Sequence, residues 1–357
     1  MAVFYHTRVF AGNIAGRIND NAIESALEDW LLMPRFRFPT NTTIHAALNF
    51  FSVNDFFASG QEAVLEFDPN WVHVEPIGLA MAASWGGWCR RRQIPIRAEN
   101  LGRTADYAAR MGLFQHLGID YDPGHQVHEE AGRFVPLANV RTPADITSFI
   151  ADLSALLHLD DDPESLAALQ YCTSEMLRNV LEHSQSQEGA YVCAHNYSGS
   201  GTHRVTLAVA DCGMGVMRHL GRAYPEVTND PLLALQLAMQ PGVTGANTGP
   251  FGSPDNAGAG LYVTRSISQG TGGYFLILSG RAAYRLFRSD QQLENLTPAV
   301  DPFAVRSNQW QLNAPWEGTV VSLEIRTERI PQFQEFFSWI RSQIPIRVTP
   351  RRQVRFT

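Results

Sequence analysis

Lysine is missing from all 357 residues, and the 28 basic side chains are all arginine. That removes the phosphate-gripping lysine of a Walker A loop and the amine of Schiff-base chemistry, so P-loop NTPases and lysine-imine enzymes are excluded. Cysteine is scarce too. Cys89, Cys172, Cys193 and Cys212 lie far apart and form no CxxC pair. This argues against a disulfide framework or a zinc site and fits a reducing, cytoplasmic setting. No apolar run approaches the ~20 residues of a membrane span. The start, MAVFYHTRVFAGNIAGRIND, lacks the sustained apolar core of a signal peptide. No membrane contact is expected. A net charge of −7 leaves no chain-wide footprint for nucleic acid. What is present is a folded-protein composition, 45% apolar and 18% charged, in a chain long enough for two domains.

Residues 62–119 alternate between strand and helix patterns: a strand at Ala63–Phe67, a helix over 76–92, a strand over 94–98 and a helix over 105–117. Such alternation predicts parallel pairing in a small α/β layer. The stretch 121–145, rich in Pro, Gly, His and charge, reads as a linker, with a connecting helix at about 144–158. The run DDPES at 161–165 starts a longer helix that reaches about 183. Strands follow at 190–197 and 204–210, the second with Val205, Leu207 and Val209 alternating inward. A Gly/Pro/Asn loop covers 241–257, a helix 260–269, and three strands lie near 273–279, 282–288 and 318–325. The expected fold class is therefore two-domain: a small N-terminal α/β domain at 1–125, a linker and connecting helix at 126–160, an α+β sandwich with a mixed sheet at 161–328, and a basic tail at 329–357. The tail holds Arg341, Arg347, Arg351, Arg352 and Arg355 and, from 341 on, no acid. It reads as a solvated terminus, and it is the one place where nucleic acid or another anionic partner is expected.

Three short motifs carry the chemistry. In SEMLRNVLEHS (174–184), Glu175, Asn179 and His183 stand at i, i+4 and i+8 and so share one helix face, while Leu177, Val180 and Leu181 point elsewhere. DCGMG (211–215) follows a buried strand. There Asp211 can accept a hydrogen bond from an exocyclic amine while Gly213 and Gly215 let bare backbone close on a flat base. GAGL (258–261) opens a helix, where Gly258, Gly260 and Leu261 bring backbone N–H groups and the helix dipole to an anion. Each alone has an ordinary reading: an amphipathic surface helix, an Asp-x-Gly turn, a glycine pair.

In this order and on these elements, the motifs resemble the nucleotide site of the GHKL superfamily, which includes gyrase, heat-shock chaperone, histidine-kinase and mismatch-repair ATPases. The correspondence runs from the asparagine box through the Asp-x-Gly-x-Gly box and a lid to the Gly-x-Gly box. Gly318-Thr319, opening GTVVSLEI, stands where the superfamily has a threonine beside the adenine. The resemblance covers roughly 160–326 and implies a Bergerat-type fold with ATP and Mg²⁺ as cofactors. It implies that Asn179 is the metal ligand, suited to a hard cation that keeps waters and phosphate oxygens. Glu175 would be the catalytic general base. Asp211 would hold the adenine amine with support from Thr319, Gly213 and Gly215 would line the base, and Gly258, Gly260 and Leu261 would bind phosphates. His183 is assigned only as a helper. Arg178 and Arg265 read first as surface or lid salt bridges and second as phosphate contacts. The loop 241–257 would be an ATP lid that orders on phosphate. Relatives of the gyrase and mismatch-repair kind place a lysine from a second domain on the γ-phosphate; here that contact falls to arginine.

Residues 60–120 loosely resemble a STAS domain, the fold of anti-sigma-factor antagonists. Where those carry a phosphorylatable serine, this chain reads Glu75-Pro76-Ile77-Gly78, without a hydroxyl. An unrelated small α/β domain fits these residues equally well. Three functions follow as expectations. The first is an ATP-dependent conformational switch or slow ATPase in signalling. The second is a serine/threonine protein kinase of the anti-sigma-factor type. The third is a non-catalytic interaction module. A protein partner is expected beside ATP, and a homodimer is left open.

Overall fold

The computed structural model describes residues 33–342 apart from 53, 71, 103–104, 123–132, 158–162, 200–201, 244–257, 289–298 and 330–332. In chain order the N-terminal half holds β1 (Arg35–Phe38), β2 (Asn41–Thr42), α1 (Ala47–Ser52), β3 (Ala63–Phe67), β4 (His73–Val74), α2 (Pro76–Arg91), β5 (Ile96–Glu99), α3 (Asp106–Arg110) and α4 (Leu113–Leu117). The C-terminal half holds β6 (Phe134–Val140), α5 (Pro143–Leu156), α6 (Pro163–Asn179), β7 (Ala190–Gly199), β8 (Thr202–Asp211), α7 (Gly215–Leu220), α8 (Pro231–Ala238), α9 (Gly260–Gly270), β9 (Phe275–Leu286), β10 (Ser307–Arg326) and α10 (Phe333–Ser342). The protein is thus a mixed α/β molecule with several sheets. No helix among the described residues is long and apolar enough to cross a membrane.

Strands β1, β3 and β5 pair in parallel, in that order. Period-two alternation buries Phe36 and Phe38 of β1 and turns Arg35 and Arg37 outward, where both meet Glu66. Helix α2 starts on Pro76 at its first turn, a position where the missing N–H is no loss. It is buried on every side from Pro76 to Cys89, as a helix apolar all round must be. The reason is that it lies between two sheets. One core joins Phe36, Phe38, Trp85 and Trp88 to Tyr191, Cys193, Ala208, Leu276 and Trp316 of the large sheet. The two halves therefore share a hydrophobic core.

The large sheet runs β6-β7-β8-β10-β9. Its second face buries Val192, Val205, Leu207, Val209, Ile277 and Leu323 against Phe149 of α5, Leu169 and Met176 of α6 and Ile267 of α9. Ionic contacts also tie the halves at one end of the sheet. Buried Glu324 accepts Arg204 at 2.7 Å and Arg288 at 2.6 Å, and Arg204 lies 3.6 Å from Glu75 at the start of α2.

Several sequence expectations are corrected. The large sheet is not mixed: every neighbouring pair is antiparallel, because β7 and β8 are adjacent in sequence and β9 returns along β10. The segment expected as a linker contains β6, which pairs with β7 as the sheet edge. The 105–117 helix is two helices, broken at Gly112 with φ +79°. The strand expected at 94–98 begins at Ile96. The two strands expected at 273–279 and 282–288 are one, β9, which bends at Gly280 (φ +59°) instead of ending there. Strand β10 begins eleven residues before Gly318, at Ser307.

Because α2 is core to both halves, Trp85→Ala should destabilise the chain by about 3–5 kcal/mol, the usual range for emptying a buried tryptophan site. Denaturant unfolding followed by fluorescence and by circular dichroism should shift together; separate midpoints would contradict a shared core.

Candidate functional site

Strand β8 ends on Asp211, whose cross-strand partner on β10 is Thr319. Between Trp316, opposite Gly280, and Thr319, opposite Ser279, β10 bulges. Gly318 sits in that bulge at φ +96°, its backbone against the Asp211 carbonyl and the Gly213 amide, where any side chain would collide. The Asp211 carboxylate is fully buried. Its Oδ1 accepts the Gly213 amide at 2.7 Å. Its Oδ2 has no hydrogen-bond partner among the described residues. The Asp211 backbone carbonyl accepts Trp316 Nε1 at 3.0 Å. Burial pushes the Asp211 carboxyl from 3.8 up to about 7, opposed by the Gly213 and Thr319 amides. A buried acceptor without a donor is expensive unless a ligand supplies one.

The helix that carries the first motif reaches this turn through an irregular step. α6 is α-helical as far as Asn179, then continues as a π-turn over Val180–Ser184. Ser184 ends that turn by accepting the Met214 amide at 2.7 Å, which joins the end of the first motif to the second. Wide turns of this kind recur at functional sites. The π-turn also overturns the expected alignment of three side chains. Its i→i+5 closure rotates His183 away from the Glu175–Asn179 line, and the imidazole stacks on His219 of α7 at 4.6 Å. Burial and the neighbouring His183 hold the His219 imidazole down at about 4.

Glu175 and Asn179 keep their i, i+4 relation within the regular part of α6. The Glu175 carboxylate lies directly against Gly260, the first residue of α9, where a methyl group would collide with Oε2. The second and third motifs thus both meet α6. Burial raises the Glu175 pKa, and Arg178, 3.5 Å away at Nη1, works against this. Arg178 is the exposed salt bridge expected of it. Arg265 is not: it is fully buried in α9, hydrogen-bonded to the Ala299 carbonyl and close to the Tyr262 ring. Its i+5 position from Gly260 turns it into the helix packing and away from the first turn. Asn179 is half-buried and its side chain caps nothing. Gly258 (φ +71°) packs on Val243, and its carbonyl accepts the Gly242 amide at 3.1 Å. The roots of the loop expected as a lid therefore meet, although 244–257 lie outside the described residues, as do Arg347, Arg351, Arg352 and Arg355. Leu261 follows in the first turn of α9, half-buried against the helix-side core.

Sequence reasoning missed Ser184, Ser279 and Trp316. Ser279 follows the apolar run FLIL of β9, and Trp316 lies in a stretch without strand periodicity, so neither carries a signal of its own. Among the described residues no three His, Cys, Asp or Glu side chains cluster as a protein-only metal site would need. A separate cleft of about 730 Å³, lined by Phe57, Trp88, Arg92 and Glu317, contains none of the motif residues. Compared with family models, curated proteins and solved structures, the chain matches none.

The raised Asp211 pKa has a defined sign. An unfolded aspartate titrates near about 4 and the folded one near 7. In that window the folded chain holds the extra proton, so stability is present below about pH 4 and lost as pH rises through about 7. Asp211→Asn should flatten this slope and stabilise the ligand-free protein by about 1–3 kcal/mol at alkaline pH. Urea titrations across pH read the effect; a slope identical to the unaltered chain's would contradict it.

Proposed function

We propose that the chain binds Mg·ATP at the junction of α6, the Asp211 turn and α9, and works as an ATP-dependent conformational switch or slow ATPase of the GHKL type in signalling. The observation that carries this is the convergence of three separated motifs. Glu175 abuts Gly260, the π-turn after Asn179 abuts Gly213, and Asp211 lies opposite Thr319 with a carboxylate oxygen to spare.

The residues fit the ligand group by group. The free Oδ2 suits the amine of an adenine, and Gly213 and Gly215 let the turn that carries it pack closely on Ser184 and Ser279. The first turn of α9 offers unsatisfied N–H groups to phosphate. Asn179 would give the cation one protein oxygen, the remainder coming from phosphates and water, which is how Mg²⁺ is usually held. Magnesium would draw charge from the phosphates when bound. Glu175, made more basic by burial, would take a proton from the attacking water.

A route out of the site exists in the fold. Ser84 of α2 donates to the Cys212 thiol at 3.2 Å, one residue past Asp211. Trp88 of α2 donates to Glu317 at 2.8 Å, two residues before Thr319. The buried helix of the N-terminal half therefore touches both strand ends that would frame the base. This favours the switch over the kinase reading, in which Glu75 would occupy the acceptor position. That carboxylate is 2% exposed and faces Arg204 at the other end of the sheet. A kinase would need an acceptor on a separate protein.

Asn179→Ala should abolish Mg²⁺-dependent ATP binding in calorimetry. Glu175→Ala should keep binding within a few-fold and remove phosphate release from γ-labelled ATP. Full turnover by the Glu175 variant would discard its role as base, and label appearing on a co-purified protein would move the assignment to kinase.

A further inference from the structure

Three residues that are distant in sequence meet at one buried hydroxyl. Ser279 of β9 is 4% exposed. Its Oγ accepts the Val216 amide at 2.9 Å. It donates to the Gly318 carbonyl at 2.7 Å. It also lies 3.3 Å from Thr319 Oγ1. A side chain at Gly215 would meet the same oxygen at 2.8 Å, so that glycine leaves the serine its room.

We infer that Ser279 fixes Thr319 as a hydrogen-bond acceptor and thereby makes the base-binding edge select an amino-purine triphosphate over an oxo-purine one. The inference rests on the nucleotide reading above and names what sets its specificity. A hydroxyl has one proton and two lone pairs. The Val216 amide can only donate, so it takes one lone pair of Ser279. The Gly318 carbonyl can only accept, so it takes the proton. Nothing remains on Ser279 to offer Thr319 except its second lone pair. The Thr319 proton must therefore point at Ser279, and the lone pairs of Thr319 are left for the site.

Across the ladder, Asp211 Oδ2 is an acceptor without a partner. Above about pH 7, where the Asp211 carboxyl is ionised, both groups on this edge then present lone pairs alone. An exocyclic amine, with two donor hydrogens, complements them. A carbonyl oxygen at the same place would set lone pair against lone pair beside the buried Asp211 side chain. A site built to pair with a substrate N–H strongly rejects an analogue lacking it, because its own buried groups stay unpaired. Ser279 touches no ligand in this scheme; it is a positioning residue acting through Thr319.

The test uses the full chain at pH 8, where Asp211 is ionised, and three probes in calorimetry with Mg²⁺: ATP, inosine triphosphate, which carries a carbonyl in place of the amine, and tripolyphosphate, which has no base. Ser279→Ala frees the Thr319 proton to turn toward the site. The ratio of ATP to inosine triphosphate affinity should fall about tenfold or more. Tripolyphosphate affinity should stay unchanged, a result that general loosening of the fold would not give. An unchanged ratio overturns the inference. Thr319→Val keeps the Val216 and Gly318 bonds of Ser279 and should lower the ratio in the same way, so the idea remains testable if Ser279→Ala does not fold. Retention of the ratio by Thr319→Val also overturns it. If the unaltered chain binds no Mg·ATP, the nucleotide reading itself fails. Binding with a ratio insensitive to both substitutions sinks only the role of Ser279.

Discussion

A carboxylate buried at the end of a strand, with one oxygen paired to its own turn and the other without a hydrogen-bond partner among the described residues beyond the nearby Thr319 amide, is the constraint around which the C-terminal half is arranged. Keeping Asp211 there demands a glycine two residues on, where a side chain would collide with Ser184 and the carboxylate itself, and a bulge in the opposite strand so that Gly318 can pass beneath it. The bulge in turn sets Thr319 opposite Asp211 and brings Ser279 onto Gly318 and Thr319. Buried carboxyl groups with raised pKa values gather at functional sites and also in structural networks.

Helix α6 is tied to that turn by an interruption of its own hydrogen bonding. A regular helix through Ser184 would keep His183 in line with Asn179 and carry the chain end in a different direction. The π-turn instead delivers the Ser184 carbonyl to the Met214 amide and lets His183 pack on His219. Two elements that a nucleotide would have to bridge are thus held in contact beforehand. The Glu175 contact with Gly260 does the same for α9. Most of the geometry is therefore preorganised by backbone and short side chains.

The N-terminal half has a place in this scheme because the large sheet has two apolar faces. One is covered by α5, α6, α9 and α10, and the other needs a cover of comparable size. Helix α2 supplies it, enclosed between sheets and hydrogen-bonded at Ser84 and Trp88 to residues flanking Asp211 and Thr319. Motion of those strand ends would reach the N-terminal half through packed side chains without a flexible linker, since β6 occupies the stretch where a linker was expected.

The sequence alone determined the elements with strong periodicity and which chemical groups were candidates for a site. Helices near 76–92, 144–158 and 260–269 and strands near 63–67 and 204–210 were legible because periodicity and capping are local properties, and short motifs put Glu175, Asn179, Asp211, Gly258, Gly260 and Thr319 forward as candidates. Tertiary structure decided what local signals cannot hold. The antiparallel order of the sheet, the single long β9 and β10, the capture of 134–140 as an edge strand, the burial of Arg265 and the π-turn at 180–184 all follow from partners distant in the chain. So does Ser279, an ordinary serine in sequence, whose three hydrogen-bonding neighbours lie 39, 40 and 63 residues away. A hydroxyl acquires a fixed donor and acceptor sense only when folding closes the surroundings around it.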